Sequence, residues 1–171
     1  MKSKFLIIIF VLFIAIISVS GCLNNKKHFE DEDISFDYTS KWETGRIMDL
    51  PGAIIKVGKD NTDVIIYKNK INNSFSLKEQ YSSVKENNKK KLAKYCYEVI
   101  SEKTMKVDGT EAYEIIYKIG CDDTQTRQLH RNIILEKKGY IYSLSCTVIP
   151  PEEFDNQKIN LDIIIESFHV K

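Results

Sequence analysis

Four cysteines and three histidines are the side chains of this sequence with the most specific chemistry, and their surroundings decide what that chemistry is. Cys22 closes the run Val19-Ser20-Gly21-Cys22. Ser20 and Gly21 are small enough for an extended backbone to enter a peptidase groove, and a thiol is the best available nucleophile for taking a diacylglyceryl group. The run has the form of a lipoprotein box, in which the cysteine is lipidated and becomes the first residue of the mature chain. One acyl chain holds a protein to a membrane only marginally; the two of a diacylglyceryl group make a durable anchor. His28, His130 and His169 include no pair at H-x-x-x-H spacing, and the chain has no C-x-x-C. His130 shares a strand face with Gln128 and Asn132, which reads as a polar sheet face. Asp122-Asp123 supplies two adjacent carboxylates, too few for a Ca²⁺ site of about 6–8 oxygens. There is no glycine-rich phosphate loop and no nucleophile elbow. The expectation is a non-enzyme without a cofactor.

What precedes Cys22 fits an export signal. Lys2 and Lys4 give a positive start, and the apolar run from Phe5 to Ile17 is thirteen residues, short of the roughly 18–20 that cross a bilayer as a helix. The same residues would serve an uncleaved signal anchor, or a plain signal with a chance cysteine; a short apolar run ending at a cysteine favours lipidation. The expected organisation is a signal peptide over 1–21, a lipidated cysteine and polar tether over 22–33, and one domain over 34–171. Without Lys2 and Lys4 the formal charge falls from +1 to −1. A near-neutral chain with both signs interspersed has no electrostatic case for nucleic acid. The expected location is the extracytoplasmic face of the cell membrane. The expected partner is a membrane protein complex or an envelope component.

Leu23 to Asp33 is polar and charged and reads as a tether that reaches at most about 40 Å. Ile34-Ser35-Phe36-Asp37-Tyr38 alternates as a half-buried strand does, and Trp42 after it reads as a core plug rather than a ligand-stacking ring. Ala53–Val57 and Asp63–Tyr67 flank the turn residues Gly58-Lys59-Asp60-Asn61 as a hairpin. Ser76-Leu77-Lys78-Glu79 is a capping box opening a helix to residue 95. Its apolar face is Leu77, Tyr81, Val84, Leu92 and Tyr95, interrupted by Asn88. The lysines Lys85, Lys89, Lys90, Lys91 and Lys94 make a solvated face with cations toward the C-terminus, where the helix dipole favours them. The sharper alternative is a patch for anionic lipid or an acidic envelope polymer.

Two further hairpins turn at Asp108-Gly109 and Lys138-Gly139. Asp-Gly between strands is a strong type I′ signal. A two-residue loop there sets Lys106 opposite Glu111 and Lys103 opposite Glu114, two opposite-charge pairs that support the register. The same register sets Cys96 opposite Cys121 in a non-hydrogen-bonded pair, with Cα atoms about 4.5 Å apart, near the lower edge of the disulfide range. An exported chain is in a compartment that permits disulfides, so a Cys96–Cys121 disulfide is expected. The alternatives are two free thiols, or a bulge that breaks the register. In the second hairpin Leu135 faces Tyr142, Ile133 faces Leu144 and Arg131 faces Cys146, which leaves Cys146 a buried free thiol. Pro150-Pro151 ends the last long strand. A helix follows from Glu152, in two pieces with Asn160 capping the second, and Ser167 to Val170 ends extended.

Both faces of the Asp108-Gly109 hairpin are half apolar, so both must be covered. The fold class is α+β: an antiparallel sheet with helices on both faces. At this point Ile34-Ser35-Phe36-Asp37-Tyr38 with Trp42, the Ser76 helix start, Val107-Asp108-Gly109-Thr110-Glu111-Ala112-Tyr113, Tyr140-Ile141-Tyr142-Ser143-Leu144 and Ile165-Glu166-Ser167-Phe168 together resemble the PsbP-like family. The resemblance spans nearly all of 34–171 and implies an antiparallel sheet between helices. That family includes extrinsic proteins of the photosynthetic oxygen-evolving complex and small prokaryotic lipoproteins of unassigned role, and a nuclear Ran-binding factor shares the fold. The lipoprotein box points to the second group; no residues carry photosystem or Ran binding over, and fold alone does not transfer function. The function expected is a lipid-anchored binding or accessory module. The alternative is a small-ligand receptor with a pocket between sheet and helix, lined by Tyr81, Tyr95, Tyr113, Tyr117 and Tyr142.

Overall fold

The computed structural model describes residues 25–47, 49–71, 75–121 and 127–171; Cys22, the signal segment and Asp122-Asp123 lie outside them. The strands are β1 (Lys26–Glu30), β2 (Ile34–Thr39), β3 (Glu43–Gly45), β4 (Ala53–Lys59), β5 (Thr62–Lys70), β6 (Glu98–Val107), β7 (Thr110–Ile119), β8 (Gln128–Lys137), β9 (Tyr140–Val148) and β10 (His169–Val170). The helices are α1 (Leu77–Leu92) and α2 (Phe154–Ser167). All strand pairs are antiparallel. Seven strands form one sheet in the order β3-β4-β5-β9-β8-β7-β6, and β1-β2-β10 form a second.

The glycine turns hold the hairpins. Asp108 and Gly109 have φ of 51° and 73°, and Lys138 and Gly139 have 51° and 79°, the left-handed pair a type I′ turn requires. Leu135 pairs with Tyr142, Ile133 with Leu144 and Arg131 with Cys146, as the two-residue loop dictates. In the β4–β5 hairpin the strands run closer to the turn than the glycine suggests: Lys59 pairs with Thr62, leaving only Asp60-Asn61 in the loop.

Alternation sorts the large sheet into two faces. Ile55, Val57, Val64, Ile66, Ile133, Leu135, Leu144 and Val148 point to one side, where they form a single buried cluster with Ile34 and Phe36 of β2, Leu161, Ile164 and Ile165 of α2, and Trp42. Trp42 is the core plug its position implied. α2 is tied to β2 through Ser167, whose hydroxyl accepts from the Asp37 amide at 2.8 Å and donates to the Ile163 carbonyl at 2.6 Å. The other face meets α1 through a smaller cluster of Tyr81, Ile115 and Tyr117. The fold is therefore α+β with a helix on each face of the large sheet, and the second sheet adds to the α2 side.

Three details depart from the sequence reading. Residues 26–30 fall within the expected tether but form β1, with Phe29 stacked on Phe36 at 5.1 Å. One inward aromatic and a full ladder with β2 hold a segment whose composition is otherwise that of a linker. α2 is one continuous helix after a 3₁₀ turn at Pro151–Glu153, and Asn160 lies within it with its amide on Gln157. Of the apolar face read onto α1, only Tyr81 is buried; Val84 and Tyr95 are 46% and 48% exposed.

Candidate functional site

α1 begins where the capping box puts it. The Ser76 hydroxyl accepts from the Glu79 amide at 3.3 Å, and the Glu79 carboxylate accepts from the Ser76 amide at 2.7 Å. Glu79 is held below the usual carboxylate range first by that backbone hydrogen bond. The helix touches the sheet through few side chains. The Tyr81 ring stacks on Tyr113 at 5.2 Å, and its hydroxyl donates to Glu102 at 2.8 Å. Burial, then that bond to a carboxylate, pushes the Tyr81 phenol up. Lys85 closes the group on the same carboxylate at 3.1 Å.

This single row of contacts leaves a cleft beside the first half of α1. Gln80 and Val84 form its helix side; Ile115, Asn132, Ile134 and Ile141 are on its sheet side, and its volume is about 290 Å³. Tyr67, Asn69 and Ser143 continue the wall along β5 and β9. On the outer side of the same helix segment Phe75 is 55% exposed, and it borders a second groove with Val84. Exposed apolar side chains are ordinary singly. Here Val84 borders both recesses, one with isoleucines on its floor and one with Phe75 beside it.

A polar row crosses the sheet beyond this cleft. The Ser145 hydroxyl donates to the Asn132 carbonyl oxygen at 3.0 Å, and the Asn132 amide donates to the Tyr117 hydroxyl at 3.4 Å. His130 stacks on Tyr117 at 4.9 Å. Burial lowers its pKa, which favours neutral imidazole, and the Nε2–H tautomer donates to Gln128 at 3.0 Å while Nδ1 accepts from Thr147 at 3.4 Å. His130 is thus engaged on both nitrogens, in keeping with a polar sheet face.

The tyrosines read as one pocket lie in different places. Tyr81, Tyr113 and Tyr117 pack together under α1. Tyr142 is buried on the opposite face with its edge on Phe168 at 5.9 Å, because the alternation of β9 turns it the same way as Leu144. Tyr95 lies on the surface in the 3₁₀ turn that follows α1. None of these five lines the cleft beside α1, which draws on β5, β7, β8 and β9.

Sequence reasoning missed a charged cluster on the α2 face. Glu114 and Arg131 are 2% and 4% exposed. Arg131 donates through Nε to Glu114 at 2.7 Å and through Nη1 to Asp162 of α2 at 2.6 Å. Lys103 takes the other Glu114 oxygen at 3.2 Å, and Lys158 takes the other Asp162 oxygen at 2.6 Å. Every carboxylate oxygen has a cation, so the cluster offers no free base. The Cys146 thiol beside it is pushed up to about 12 by burial, which keeps it protonated and unreactive. The signal was present in the sequence: Arg131 and Glu114 stand at inward positions of adjacent strands, where a charge requires a partner. Among the described residues, no group of three or more His, Cys, Asp or Glu side chains is arranged to hold a metal ion.

Cys96 and Cys121 are joined in a disulfide with Cα atoms 5.2 Å apart. The route to it differs from simple opposition. A bulge between Val99 and Ser101 shifts the register, so that Glu98 pairs with Lys118. Cys96 has left the strand in a left-handed conformation, φ 54°, at the end of the 3₁₀ turn. The Gly120 amide donates to the Tyr95 carbonyl at 2.7 Å and brings the two sulfurs together.

The sequence profile of a family described as PsbP-like protein matches residues 15–170. The chain belongs to the PsbP-like family. The solution structure of cyanobacterial PsbP from Synechocystis sp. PCC 6803 is similar at 16% identity and a TM-score of 0.65, over 87% of this chain and 94% of that one. LpqN of Mycobacterium tuberculosis, described as involved in cell envelope biogenesis, is similar at 10% identity and a TM-score of 0.56, over 85% and 90%. The Ran-binding protein Mog1p of Saccharomyces cerevisiae is similar at 14% identity and 0.54, over 85% and 95%. At these identities the PsbP-like protein shares a fold with each. A sequence search of curated proteins finds no match.

Proposed function

We propose that this PsbP-like domain is a non-catalytic accessory module, anchored by a lipid on Cys22 to the extracytoplasmic face of the cell membrane and docking on a membrane protein complex. The observation that carries the reading is the cleft beside the first half of α1. A recess of about 290 Å³ is at the lower edge of the roughly 300–1,000 Å³ of small-molecule pockets, and it is open to solvent. It suits one apolar anchor side chain from a protein partner, the kind of contact that dominates interface energetics. Val84, exposed at its rim, would border that anchor, and Phe75 in the adjoining groove would add an apolar contact beside it. The lipoprotein-type sequence ahead of β1 and the envelope role given for LpqN support the location.

A photo-reactive phenylalanine at Val84, in cells, tests the docking. The expected result is an adduct with a membrane protein that disappears when Phe75→Asp is added. Adducts that survive Phe75→Asp, or none from this position, overturn it. Asn132 and Ser143 give the cleft hydrogen-bonding groups, which favours a small-ligand carrier as the second reading. Co-purification of a small molecule that is lost in Val84→Asp would favour that reading over docking. For the anchor, a Cys22→Ala protein that leaves the membrane fraction is expected; one retained there with its signal segment intact returns the uncleaved-anchor reading.

A further inference from the structure

One row of paired residues runs across the large sheet: Thr62 with Val148, Val148 with Leu129, Leu129 with Lys118, and Lys118 with Glu98. Everything beyond this row lies at one end of the molecule. α1 ends there, because Tyr95 accepts from Gly120 next to the last residue of β7. Its last turn carries Lys89, Lys90 and Lys91, and Lys94 follows; all four are exposed. β1 starts at the same end. Lys59 is paired with Thr62, and Gly58 with Glu43, one residue after Trp42. Trp42 donates to Thr39, Thr39 pairs with Lys26, and the Ser40 amide donates to the Asn25 carbonyl at 2.7 Å. The chain therefore enters the fold at the end where the helix lysines stand, on the far side of the sheet from them.

Two consequences follow. Three residues, Leu23 to Asn25, separate Cys22 from β1, a reach of roughly 10 Å in place of the longer tether read from composition. That reach keeps this end close to any bilayer that holds the anchor. Exposed lysines are also gathered at this end. At the entry end Lys26, Lys41 and Lys59 join the four helix lysines. The Glu152 carboxylate there is paired with Arg127 at 2.8 Å, and Glu98 stands opposite Lys118 in the ladder; among the described residues Glu43, Asp60, Glu153 and Asp155 are further acids, the last two at the start of α2, on the other face of the sheet from the helix lysines. The opposite end carries the acidic run Glu30-Asp31-Glu32-Asp33, where β1 turns into β2, but Glu30 is paired with Lys171 at 2.7 Å and Asp33 with Lys68 at 2.5 Å, so that end is of mixed sign.

We propose that the domain stands on its membrane by this entry end, with Lys89, Lys90, Lys91 and Lys94 on anionic phospholipid headgroups while the cleft beside the first half of α1 stays clear of the bilayer. The proposal rests on the membrane-anchored reading above. A juxtamembrane cluster of lysines within a Debye length of anionic lipid is attracted to it, and the short reach from Cys22 keeps that cluster there.

The test uses the full chain reconstituted through its own anchor into vesicles of phosphatidylcholine, or of equimolar phosphatidylcholine and phosphatidylglycerol. A water-soluble amine-reactive ester labels the lysines, and peptide mass spectrometry reads each rate. The expected result is labelling of Lys89, Lys90, Lys91 and Lys94 at least about fivefold slower on the anionic vesicles, the factor one lysine–headgroup contact contributes. High salt restores the rate, and Lys138 and Lys171 at the far end are unaffected. Equal rates on both vesicles overturn the proposal, as does equal slowing at Lys138. Slowing seen only in native membranes and never on pure lipid also overturns it, and assigns the face to a protein or an envelope polymer. Intact mass of the same sample reports lipidation separately. A retained signal segment leaves the entry end facing the bilayer, so the labelling comparison still decides. A chain with no anchor is mixed with the same vesicles, and absence of slowing overturns the proposal there too.

Discussion

Glu114 and Arg131 show how much of the α2 face depends on single charges. Arg131 loses water on burial, yet its bonds to Asp162 and Glu114 outweigh that loss and raise its pKa. Arg131→Ala leaves Glu114 buried with only the half-exposed Lys103 as a partner, and this is expected to lower stability by about 3–5 kcal/mol. Replacing both with apolar residues, Glu114→Leu with Arg131→Met, is expected to restore most of it. Urea unfolding of Glu114→Leu, Arg131→Met and the pair measures the coupling; additive effects would show that the charges act separately. Asp108 gives a second prediction. Burial raises its carboxyl, but bonds from Lys137 Nζ, the Val170 amide and His169 Nδ1 together hold it below the ordinary range. In that window the unfolded chain binds the proton more tightly. Its stabilising contribution is therefore complete above the ordinary aspartate value of about 4 and is lost as pH falls through the lowered folded value. Asp108→Asn keeps a residue that tolerates the left-handed turn position and removes only the charge. It is expected to cost about 1–3 kcal/mol at neutral pH and to flatten the acid loss, read from urea midpoints at neutral and acidic pH. The inward Arg131 was legible from strand alternation. Asp162 was not, since its role depends on which turn of α2 meets β8.

At the scale of elements, the disulfide and α1 belong together. The bond closes a separation of 25 residues and fastens the 3₁₀ turn after α1 to the end of β7. A Cys96→Ser/Cys121→Ser protein is expected to lose about 2–4 kcal/mol, with faster amide exchange in the last turn of α1 and the first residues of β6 and none in α2. Uniform acceleration through both helices would mean that the bond supports the whole fold rather than this corner. The two hairpins were readable because Asp108-Gly109 and Lys138-Gly139 fix loop length, and loop length fixes register. The bulge at Ile100 was not, since Val99-Ile100-Ser101 contains no glycine or other local signal. β1 escaped for a related reason. In Lys26-Lys27-His28-Phe29-Glu30 only Phe29 is apolar, and the strand exists because β2 offers it a complete ladder. The apolar pattern of α1 was real in sequence, but Tyr81 is its only buried member, packed on Tyr113, Ile115 and Tyr117 of the sheet. Val84 is left outside, and the cleft that carries the functional reading follows from that shortfall.

The molecule as a whole is closed by its last strand. β10 pairs with β2 across more than 130 residues of sequence, His169 with Ser35 and Val170 with Ile34, and it completes the second sheet opposite β1. Val170 is 2% exposed, and its amide donates to the Asp108 carboxylate at 2.8 Å. Lys171 adds an ion pair to Glu30 at 2.7 Å and a bond to the Asp31 carbonyl. These contacts are of different kinds and should separate on truncation. Removing Lys171 deletes a surface ion pair and is expected to cost no more than about 1 kcal/mol. Removing 169–171 also exposes the Ile34 edge of the core, loses a buried valine worth about 1.5–3 kcal/mol and strips Asp108 of two donors. The expected total is about 3–5 kcal/mol, with exchange rising along β1 and β2 before it rises in β8 and β9. Thermal unfolding of the two truncations, followed by amide exchange, checks both the magnitude and the order. If the larger truncation cost no more than the smaller, the second sheet would be an ornament on a core that β4 to β9 and α2 complete without it. The geometry predicts otherwise, because Phe36 and Ile34 of that sheet are fully buried in the same cluster as α2 and Val170, and Val170 pairs directly with Ile34.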